Sequence, residues 1–433
     1  MNDQTNTPNT PGEDNGAPKE TLFDGAVQQC PYMLYDKLRE EAPVYKDPVT
    51  GMYVVTRYDL VRQVLMDPDN FIASRRHDNR DQIGSLHQQT IVKEFQEKGW
   101  VPGKSVGQYD EPEHSAVRSI FDNTFRAGKM KDFDDTIRAV LNELFDGFID
   151  TGHVEWISQV AIPLPMMVFA TQMGAPREDL AMIRHWTDAW VSRLGMMLPP
   201  DEEMETVKLQ IEAQHYFQPK IEALRGKPDG SFFSDLVNME VPGWGRTLTD
   251  NEIHAHLMGD TFVGGGETTS NAFGGGIRLL IENPDVWALL KADPDRHLNR
   301  FVEEMLRLES PVQGLTRFAA RDVEIEGVMI PAGATVGVQY AAANRDPERF
   351  PAPEKFDLDR KNAGAHLAFG SGVHHCLGAA LARRELYWCY RTVVERFEEF
   401  WLEGQEGYEY EPNLFLRRMK RLELGFRKRK TGT

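Results

Sequence analysis

The chain has 433 residues, of which 41% are hydrophobic, so it is long enough to bury a large core. Its 67 acidic and 49 basic side chains give a formal net charge of −18, a field that repels polyanions and argues against a nucleic-acid partner. Cys30, Cys376 and Cys389 are too few, and odd in number, for a disulfide framework. They indicate a reducing compartment, and we expect a cytoplasmic protein.

The first residues differ in composition from the rest of the chain. Residues 1–21 carry almost no apolar side chains and predict a disordered tail, whereas residues 22–433 show no linker and predict one domain. No charged start leads into an apolar segment, so we expect no signal peptide. The longest apolar stretch, near 161–175, contains two prolines and is too short to span a bilayer. We therefore expect no membrane anchor.

Apolar periodicity predicts a mainly α-helical fold with small β-sheets. The first elements are a helix at 32–41, a strand pair at 44–46 and 52–56, and a helix at 58–66. Residues 72–113 form a long irregular stretch, which in compact proteins tends to be functional or mobile. Further helices are predicted within 114–290, at 296–308 and at 379–396; they include 136–149, 179–194, 203–224 and 250–282. Residues 312–340 have strand character and 341–375 are coil.

The segment Phe369-Gly-Ser-Gly-Val-His-His-Cys-Leu-Gly378 ends this coil and begins a helix. A thiolate there lies near the free N–H groups of a helix N-terminus, which favour an anion. Gly372 and Gly378 allow backbone or a flat ligand to approach closely. The alternative is that Cys376 is an inert buried cysteine in a glycine-rich turn. We interpret the other two cysteines, Cys30 and Cys389, as inert.

This segment resembles the signature of the cytochrome P-450 family, Phe-x-x-Gly-x-(His/Arg)-x-Cys-x-Gly. The matching residues are Phe369, Gly372, His374, Cys376 and Gly378. The resemblance implies that Cys376 is the axial ligand of haem b (iron protoporphyrin IX), that Phe369 shields it and that His374 holds a propionate. A thiolate ligand favours cleavage of the O–O bond. The fold implied is the mostly helical P-450 fold, as found in soluble bacterial members.

A second motif lies inside the predicted helix at 250–282. Three consecutive glycines, residues 264–266, each cost about 0.8–1.0 kcal/mol against alanine, so a function is indicated. Gly264 and Thr268 share a helix face, where the missing side chains open a groove. The stretch from Gly264 to Thr269 resembles the family pattern (Ala/Gly)-Gly-x-(Asp/Glu)-Thr-(Thr/Ser). It implies that Gly264 and Gly265 border the haem, that Thr268 hydrogen-bonds dioxygen and that Glu267 supplies protons.

Charged residues elsewhere match the family in order. Glu304 and Arg307 are three apart on one helix face and, with Arg360, resemble a triad that locks the coil before the cysteine. Without the resemblance, Glu304 and Arg307 would be interpreted as an ordinary ion pair on the protein surface. The remaining matches, which the resemblance assigns to the haem propionates, are His114, Arg118 and Arg317.

Pocket residues are less clear from sequence. Asp260 lies one turn before Gly264 and either selects a donor group on the substrate or turns aside to pair with a base or backbone N–H. The apolar residues expected near it are Val263, Val312 and Leu315, with Met196 and Met197 as adaptable additions. Trp186 and Trp190 are either core or pocket. A second glycine run, Gly274–Gly276, suggests a close helix–helix contact.

The expected activity is hydroxylation of a hydrophobic small molecule, such as a terpenoid, steroid or alkyl aromatic, with dioxygen. No flavin or iron–sulfur motif is visible, so electrons are expected from a ferredoxin and its NAD(P)H-dependent reductase. A basic dock for this partner is predicted at Arg126, Lys129, Lys131, Arg383 and Arg384. The alternatives are a non-hydroxylating oxidation, such as coupling or desaturation, and a non-catalytic haem sensor.

Overall fold

The computed structural model describes residues 20–74, 86–122, 125, 130–195, 198–404 and 407–430. Most of the predicted tail therefore lies outside the described residues. Its last two residues, Glu20 and Thr21, make contacts: the Tyr45 hydroxyl donates to the Glu20 carbonyl at 2.8 Å, and the Thr21 hydroxyl donates to Asp47 at 2.7 Å. Ordered contacts thus begin two residues before the predicted start.

Helices dominate the described residues, as predicted. Asn283 and Asp293 separate three consecutive helices, two of which begin on a proline, a residue suited to the first helical turn. The α-helices are Gly25–Gln29, Tyr32–Glu41, Tyr58–Leu65, Leu86–Lys98, Glu113–Asp122, Met130–Asp146, Pro163–Gln172, Leu180–Leu194, Pro200–Leu224, Phe232–Asn238, Asp250–Ala255, Thr268–Glu282, Pro284–Ala292, Pro294–Glu309, Tyr340–Ala343 and Ala379–Arg396. Short 3₁₀ turns lie at Val106–Gln108, Arg177–Asp179, Ala363–Ala365 and Gly372–His374, and wider π turns at Ile157–Ala161 and His256–Glu267.

The strands form small sheets at the periphery. One sheet has five strands, in the order Val44–Lys46, Tyr53–Val55, Thr335–Val338, Leu315–Ala319 and Phe71–Ile72. Its pairing is antiparallel except between Tyr53–Val55 and Thr335–Val338. The other strands, all antiparallel, are His153–Glu155 and Phe397–Leu402 on either side of Glu423–Lys428, Val323–Ile325 with Val328–Ile330, and Tyr410–Glu411 with Arg418–Met419.

One long helix, here called the central helix, passes through the core from Asp250 to Glu282. Thr249 and Glu252 cap its start reciprocally, which satisfies backbone N–H groups that the first turn leaves free. Its middle, His256–Glu267, is wound in wider π turns, and the Thr261 hydroxyl donates to the carbonyl of His256, five residues back. Such widened turns are rare and often lie at functional sites.

The glycine run 274–276 lies where the central helix meets three neighbours. A Cβ on Gly274 would lie 3.0 Å from Ile157, one on Gly275 would lie 2.7 Å from Glu309, and one on Gly276 would lie 1.9 Å from the Tyr390 hydroxyl. The predicted close helix–helix contact is therefore present. Hydrogen alone fits at these positions, and the glycines let the helices approach.

The structure corrects the prediction for residues 72–113. Leu86–Lys98 is a helix, and its residues Ile91 and Phe95 pack against Val207 and Ile211 of helix Pro200–Leu224. Only a few apolar side chains lie on this buried face, which is why the periodic signal was weak. None of the described helices is long and apolar enough to cross a membrane.

Candidate active site

A cavity of about 300 Å³ lies between the central helix and the segment 368–378, here called the cysteine loop. The central helix contributes Gly264, Gly265 and Thr268 to its wall, and the cysteine loop contributes Phe369 and Cys376. The two motifs are separated by about a hundred residues in sequence, and the fold brings them to opposite sides of one space. Of the three cysteines, only Cys376 lines it; Cys30 is exposed and Cys389 is buried elsewhere.

Glycine conformation shapes the cysteine loop. Gly370 and Gly372 have positive φ values of 66° and 72°, which glycine adopts without strain. A Cβ on Gly372 would lie 2.4 Å from the carbonyl oxygen of Leu65, so this position also has no room for a side chain. The loop closes through a 2.9 Å hydrogen bond from the Cys376 N–H to the Phe369 carbonyl. The turn thus fixes where the sulfur lies.

The Cys376 side chain is partly buried, and its surroundings act on the charge of the thiol in opposite directions. Burial raises the pKa of Cys376 above its usual value, while the Gly378 backbone N–H and the charges of Arg118 and Arg383 act to lower it. The Arg383 guanidinium also lies 4.5 Å from the centre of the Phe369 ring. A sulfur so buried becomes a thiolate most readily when a metal cation binds it.

Five side chains that can carry positive charge line the same cavity: His114, Arg118, Arg317, His374 and His375. The rings of His114 and His374 lie 4.1 Å apart, centroid to centroid. Burial, with the charges of Arg317, His114 and Arg118, lowers the pKa of His374 to about 3. Arg118 donates to the carbonyls of Val373 and His375, which ties helix Glu113–Asp122 to the cysteine loop.

Arg317 is only 7% exposed, and no acidic side chain among the described residues pairs with it. A buried guanidinium without a counter-ion is costly, so this site favours an anionic ligand. The space beside Gly264 is also open, since the nearest atom to a Cβ there is the Gly259 carbonyl oxygen at 3.4 Å. A flat macrocycle with two carboxylates and a metal that binds sulfur fits this combination.

Thr268 and Glu267 are adjacent in sequence but lie in different surroundings. The Thr268 hydroxyl lines the cavity and donates to the Gly264 carbonyl at 2.8 Å. Glu267 is 2% exposed, is not part of the cavity wall, and is paired with Arg184 at 3.0 Å and Arg418 at 2.7 Å. These two arginines were not expected from the sequence, because they lie far from Glu267 along the chain.

The predicted triad forms completely. Glu304 and Arg307 are fully buried and make a two-point pair with both distances at 2.8 Å, and Arg360 adds a 2.9 Å bond to the same carboxylate. The two arginines then donate to main-chain carbonyls of the coil at 344–367; the acceptors are Asn344, Pro351, Ala352, Pro353 and Lys355. The triad thereby holds the coil that leads to the cysteine loop.

Asn344 is a functional position that the sequence did not reveal. It is fully buried, its amide nitrogen donates to the Ser310 hydroxyl at 2.8 Å, and its oxygen accepts from the Leu367 N–H at 2.6 Å. It therefore joins the end of helix Pro294–Glu309 to the residue before the cysteine loop. An isolated asparagine in a predicted coil carries no signal of such a role.

Among the predicted pocket residues, Asp260, Val312 and Leu315 line the cavity. Val263 does not: it is 5% exposed and packs in a hydrophobic cluster with Val191 and Leu414. This packing against Val191 and Leu414 keeps the Val263 side chain off the cavity wall. Trp186 is a core residue, 1% exposed, and Trp190 packs partly buried beside it. Met196 and Met197 lie outside the described residues.

The predicted basic dock is only partly described. Arg383 pairs with Glu303 and Arg384 pairs with Asp134, so both charges are already engaged. Arg126 and Lys129 lie outside the described residues, as does the side chain of Lys131.

Comparison with known proteins agrees with this geometry. The cytochrome P-450 family model matches residues 201–426. The cytochrome P-450 monooxygenase PikC of Streptomyces venezuelae is 33% identical over 420 residues, covering 93% of this chain and 94% of the relative. A solved P-450BioI complex with an acyl carrier protein ligated to hexadec-9Z-enoic acid is 27% identical, with a TM-score of 0.82 over 93% of this chain and 100% of that one. CYP109E1 from Bacillus megaterium, solved with testosterone, is 28% identical, with a TM-score of 0.79 over 94% and 99%.

A mostly helical fold in which a cysteine faces a glycine-lined helix across a cavity is typical of a haem-thiolate oxidoreductase. The chain belongs to the cytochrome P-450 family. Membership implies a haem-thiolate iron cofactor and the activity of a monooxygenase.

Proposed function

We propose that this enzyme binds haem b, with Cys376 as the axial ligand of the iron, and hydroxylates a hydrophobic small molecule. The observation that carries the proposal is the cavity itself, which joins the cysteine, the unpaired Arg317 and the hydroxyl of Thr268 in one space. His114, Arg118, Arg317 and His374 hold the propionates. When bound, the haem supplies the activation of dioxygen by two electrons.

Thr268 and Glu267 are proposed to deliver protons to dioxygen. The Thr268 hydroxyl borders the cavity and donates its one proton to the Gly264 carbonyl, so its oxygen is placed to accept a hydrogen bond from a group in the cavity. It passes on a proton when it turns from Gly264 toward the cavity. Arg184 and Arg418 join Glu267 to Asp188, which is 39% exposed. A guanidinium keeps its protons, so the two arginines orient the carboxylates and do not themselves relay protons. A chain of charged groups therefore leads from beside Thr268 toward solvent.

The substrate is proposed to be an apolar molecule such as a terpenoid, a steroid or an alkyl aromatic. Phe121, Phe169, Phe232, Val312 and Leu315 give the cavity a wall that binds apolar surface. The structures of relatives with testosterone and with a fatty-acid-loaded carrier protein are compatible with apolar substrates. Coupling or desaturation by the same site is the alternative.

Electrons are proposed to come from a ferredoxin and its NAD(P)H-dependent reductase. The free cysteines fit a cytoplasmic location.

The test of the substrate proposal is a titration of the ferric holoenzyme with terpenoids, steroids and alkyl aromatics, followed at the Soret band. A low-spin to high-spin shift with one class supports the proposal. If all three classes leave the spectrum of an intact haem-thiolate protein unchanged, the apolar-substrate proposal is wrong.

Product analysis on the responding class separates the reaction types. One oxygen atom from ¹⁸O₂ in the product supports hydroxylation, whereas loss of two hydrogens without label indicates desaturation. A haem sensor would bind the ligand and form neither product.

A further inference from the structure

Asp260 is an acidic residue on the cavity wall that the proposed reaction does not use. It lies on the central helix one turn before Gly264, and its side chain is 15% exposed. Its Oδ2 accepts two hydrogen bonds, from the Val106 N–H at 2.8 Å and from His256 Nδ1 at 2.6 Å. Its Oδ1 has no hydrogen-bond partner among the described residues.

His256 contacts Asp260 through Nδ1 alone and does not reach Oδ1. It is fully buried between the rings of Phe121, at 5.2 Å, and Tyr109, at 6.4 Å. Its Nδ1 donates to Asp260, and its Nε2 has no partner within the described part of the chain. This is the arrangement of a neutral imidazole with one donor, because a second proton would have no acceptor. His256 therefore orients the carboxylate and leaves it negatively charged.

The rest of the cavity leaves this charge without a counter-ion. The cationic residues of the wall, among them Arg317, are those that fit the carboxylates of the cofactor. Within the described residues, His256 is the only basic side chain in contact with Asp260. A carboxylate oxygen that borders an apolar cavity is costly unless a hydrogen-bond donor meets it. The missing donor is then part of the ligand.

We propose that Asp260 is a specificity-determining residue, whose Oδ1 accepts a hydrogen bond from a hydroxyl or protonated amine on an otherwise apolar substrate. The inference rests on the proposed function and narrows its substrate class. It also explains why Asp260 both lines the cavity and is held rigidly: two donors on Oδ2 fix the direction of Oδ1.

Asp260→Asn is the decisive substitution. The asparagine oxygen can still accept from Val106 and His256, so the contact between residue 106 and the central helix is kept. Its amide nitrogen then replaces Oδ1, which changes the atom facing the cavity from an acceptor to a donor. The probes share one skeleton: adamantane has no polar group, 2-adamantanol is a donor and 2-adamantanone is only an acceptor. Dissociation constants are measured for the holoenzyme from the spin-state shift.

Val106→Pro is the matched control. It removes the N–H that donates to Asp260 and leaves the carboxylate in place. Val106 is the first residue of a short helical turn, a position that accepts proline, and Ser105 before it is extended, with φ −83° and ψ 167°. Further hydrogen bonds between Gly103 and Asn251 and between Asn251 and Val101 keep this segment on the central helix.

We expect Asp260→Asn to weaken binding of 2-adamantanol about fivefold, because the alcohol then makes a neutral hydrogen bond to the amide in place of a charge-assisted one. Binding of adamantane should stay within about twofold, and binding of 2-adamantanone should tighten. Val106→Pro should change the dissociation constants of all three probes by similar factors. If Asp260→Asn also changes the three dissociation constants equally, or changes none of them, Asp260 only connects residue 106 to the central helix and the inference is wrong. If the wild type responds to none of the probes, the apolar pocket itself is wrong and this inference fails with it.

Protonated N,N-dimethyl-1-adamantylamine separates the two donor types. A greater loss of affinity for the amine than for the alcohol in Asp260→Asn assigns a cationic substrate, and the reverse assigns a hydroxylated one.

Discussion

Cys376 differs from the other two cysteines in where its sulfur lies, and this gives the first test at the scale of single residues. Cys376→Ser should abolish the absorption band typical of a thiolate-ligated haem in the reduced carbon monoxide complex, because a hydroxyl does not replace the thiolate. Cys30→Ser, at an exposed position, should keep the band. A thiolate band in Cys376→Ser would contradict the ligand assignment.

Thr268 can be compared with Ser270, two residues along the same helix. Each hydroxyl donates at 2.8 Å to the carbonyl four residues back, but Thr268 lines the cavity and Ser270 is buried outside it. Thr268→Ala should lower product formed per NAD(P)H by about tenfold and release peroxide, because the proton no longer reaches dioxygen. Ser270→Ala should leave this ratio unchanged. Equal coupling in both variants would remove Thr268 from the proton route.

Sequence motifs predicted which residues meet at the site, but not what holds them. The cysteine loop and the Gly264–Thr269 stretch are local patterns, so their residue types could be recognised directly. The partners of Glu267 come from distant segments, and Val106 offers Asp260 a main-chain N–H; neither leaves a local pattern. His256, four residues before Asp260, is a local partner that could have been recognised. Val263 was wrongly placed on the cavity because its side chain packs against Val191 and Leu414, two residues that lie far from it along the chain.

At the scale of whole elements, the central helix contains glycines of two kinds. A Cβ on Gly276 would lie 1.9 Å from the Tyr390 hydroxyl, whereas one on Gly266 would meet only Met166, at 3.9 Å. Gly276→Ala should therefore lower the free energy of unfolding by about 1–3 kcal/mol through overpacking. Gly266→Ala should be neutral or raise it by up to about 1 kcal/mol, because alanine favours the helix. Urea unfolding of both variants measures the difference.

Tyr390→Phe tests the cause of that effect. The Tyr390 hydroxyl donates to the carbonyls of Ala272 and Phe273, so its removal alone should be destabilising. In the Gly276→Ala background the same change should cost less, because it removes the atom nearest the added Cβ, although Cζ of the ring would still lie 2.4 Å from it. Strict additivity of the two changes would show that they do not interact.

Most helices could be predicted because their apolar faces repeat with the helical period. The central helix was predicted with its observed bounds, 250–282, and helix Tyr32–Glu41 likewise. Helix Leu86–Lys98 was missed because it buries few side chains, and tertiary contact with helix Pro200–Leu224 supports it. The π turns could not be predicted, since they depend on how glycines pack against neighbouring helices.

At the scale of the whole molecule, Glu303 links helix Pro294–Glu309 to helix Ala379–Arg396. Its carboxylate pairs with Arg383 at 2.6 Å and lies 3.4 Å from His366. Burial raises its pKa, but His366 and Arg383 outweigh burial and lower the pKa of Glu303 to about 2. The stability that it contributes is therefore complete above about pH 4.5, its ordinary value, and is lost as the pH falls toward 2.

Glu303→Gln should accordingly be less stable than the wild type at pH 7. The difference between their free energies of unfolding should decrease as the pH falls from 4.5 to 2. Urea midpoints at a series of pH values measure it, with the exposed Glu354→Gln as the control. A gap that stays constant down to pH 2 would mean that the charge of Glu303 does not stabilise the fold.

Arg307 and Arg360 hold the coil at 344–367 through its main chain. Arg307 and Arg360 bind carbonyl oxygens, and every residue has one, so these contacts do not depend on the side chains of exposed residues such as Glu354 and Lys355. The exposed positions 354 and 355 are therefore free to vary without changing these contacts. A saturation library should accept most substitutions at 354 and 355 and reject nearly all at 304, 307 and 360, which makes the coil a place where surface charge can be redesigned without disturbing the active site.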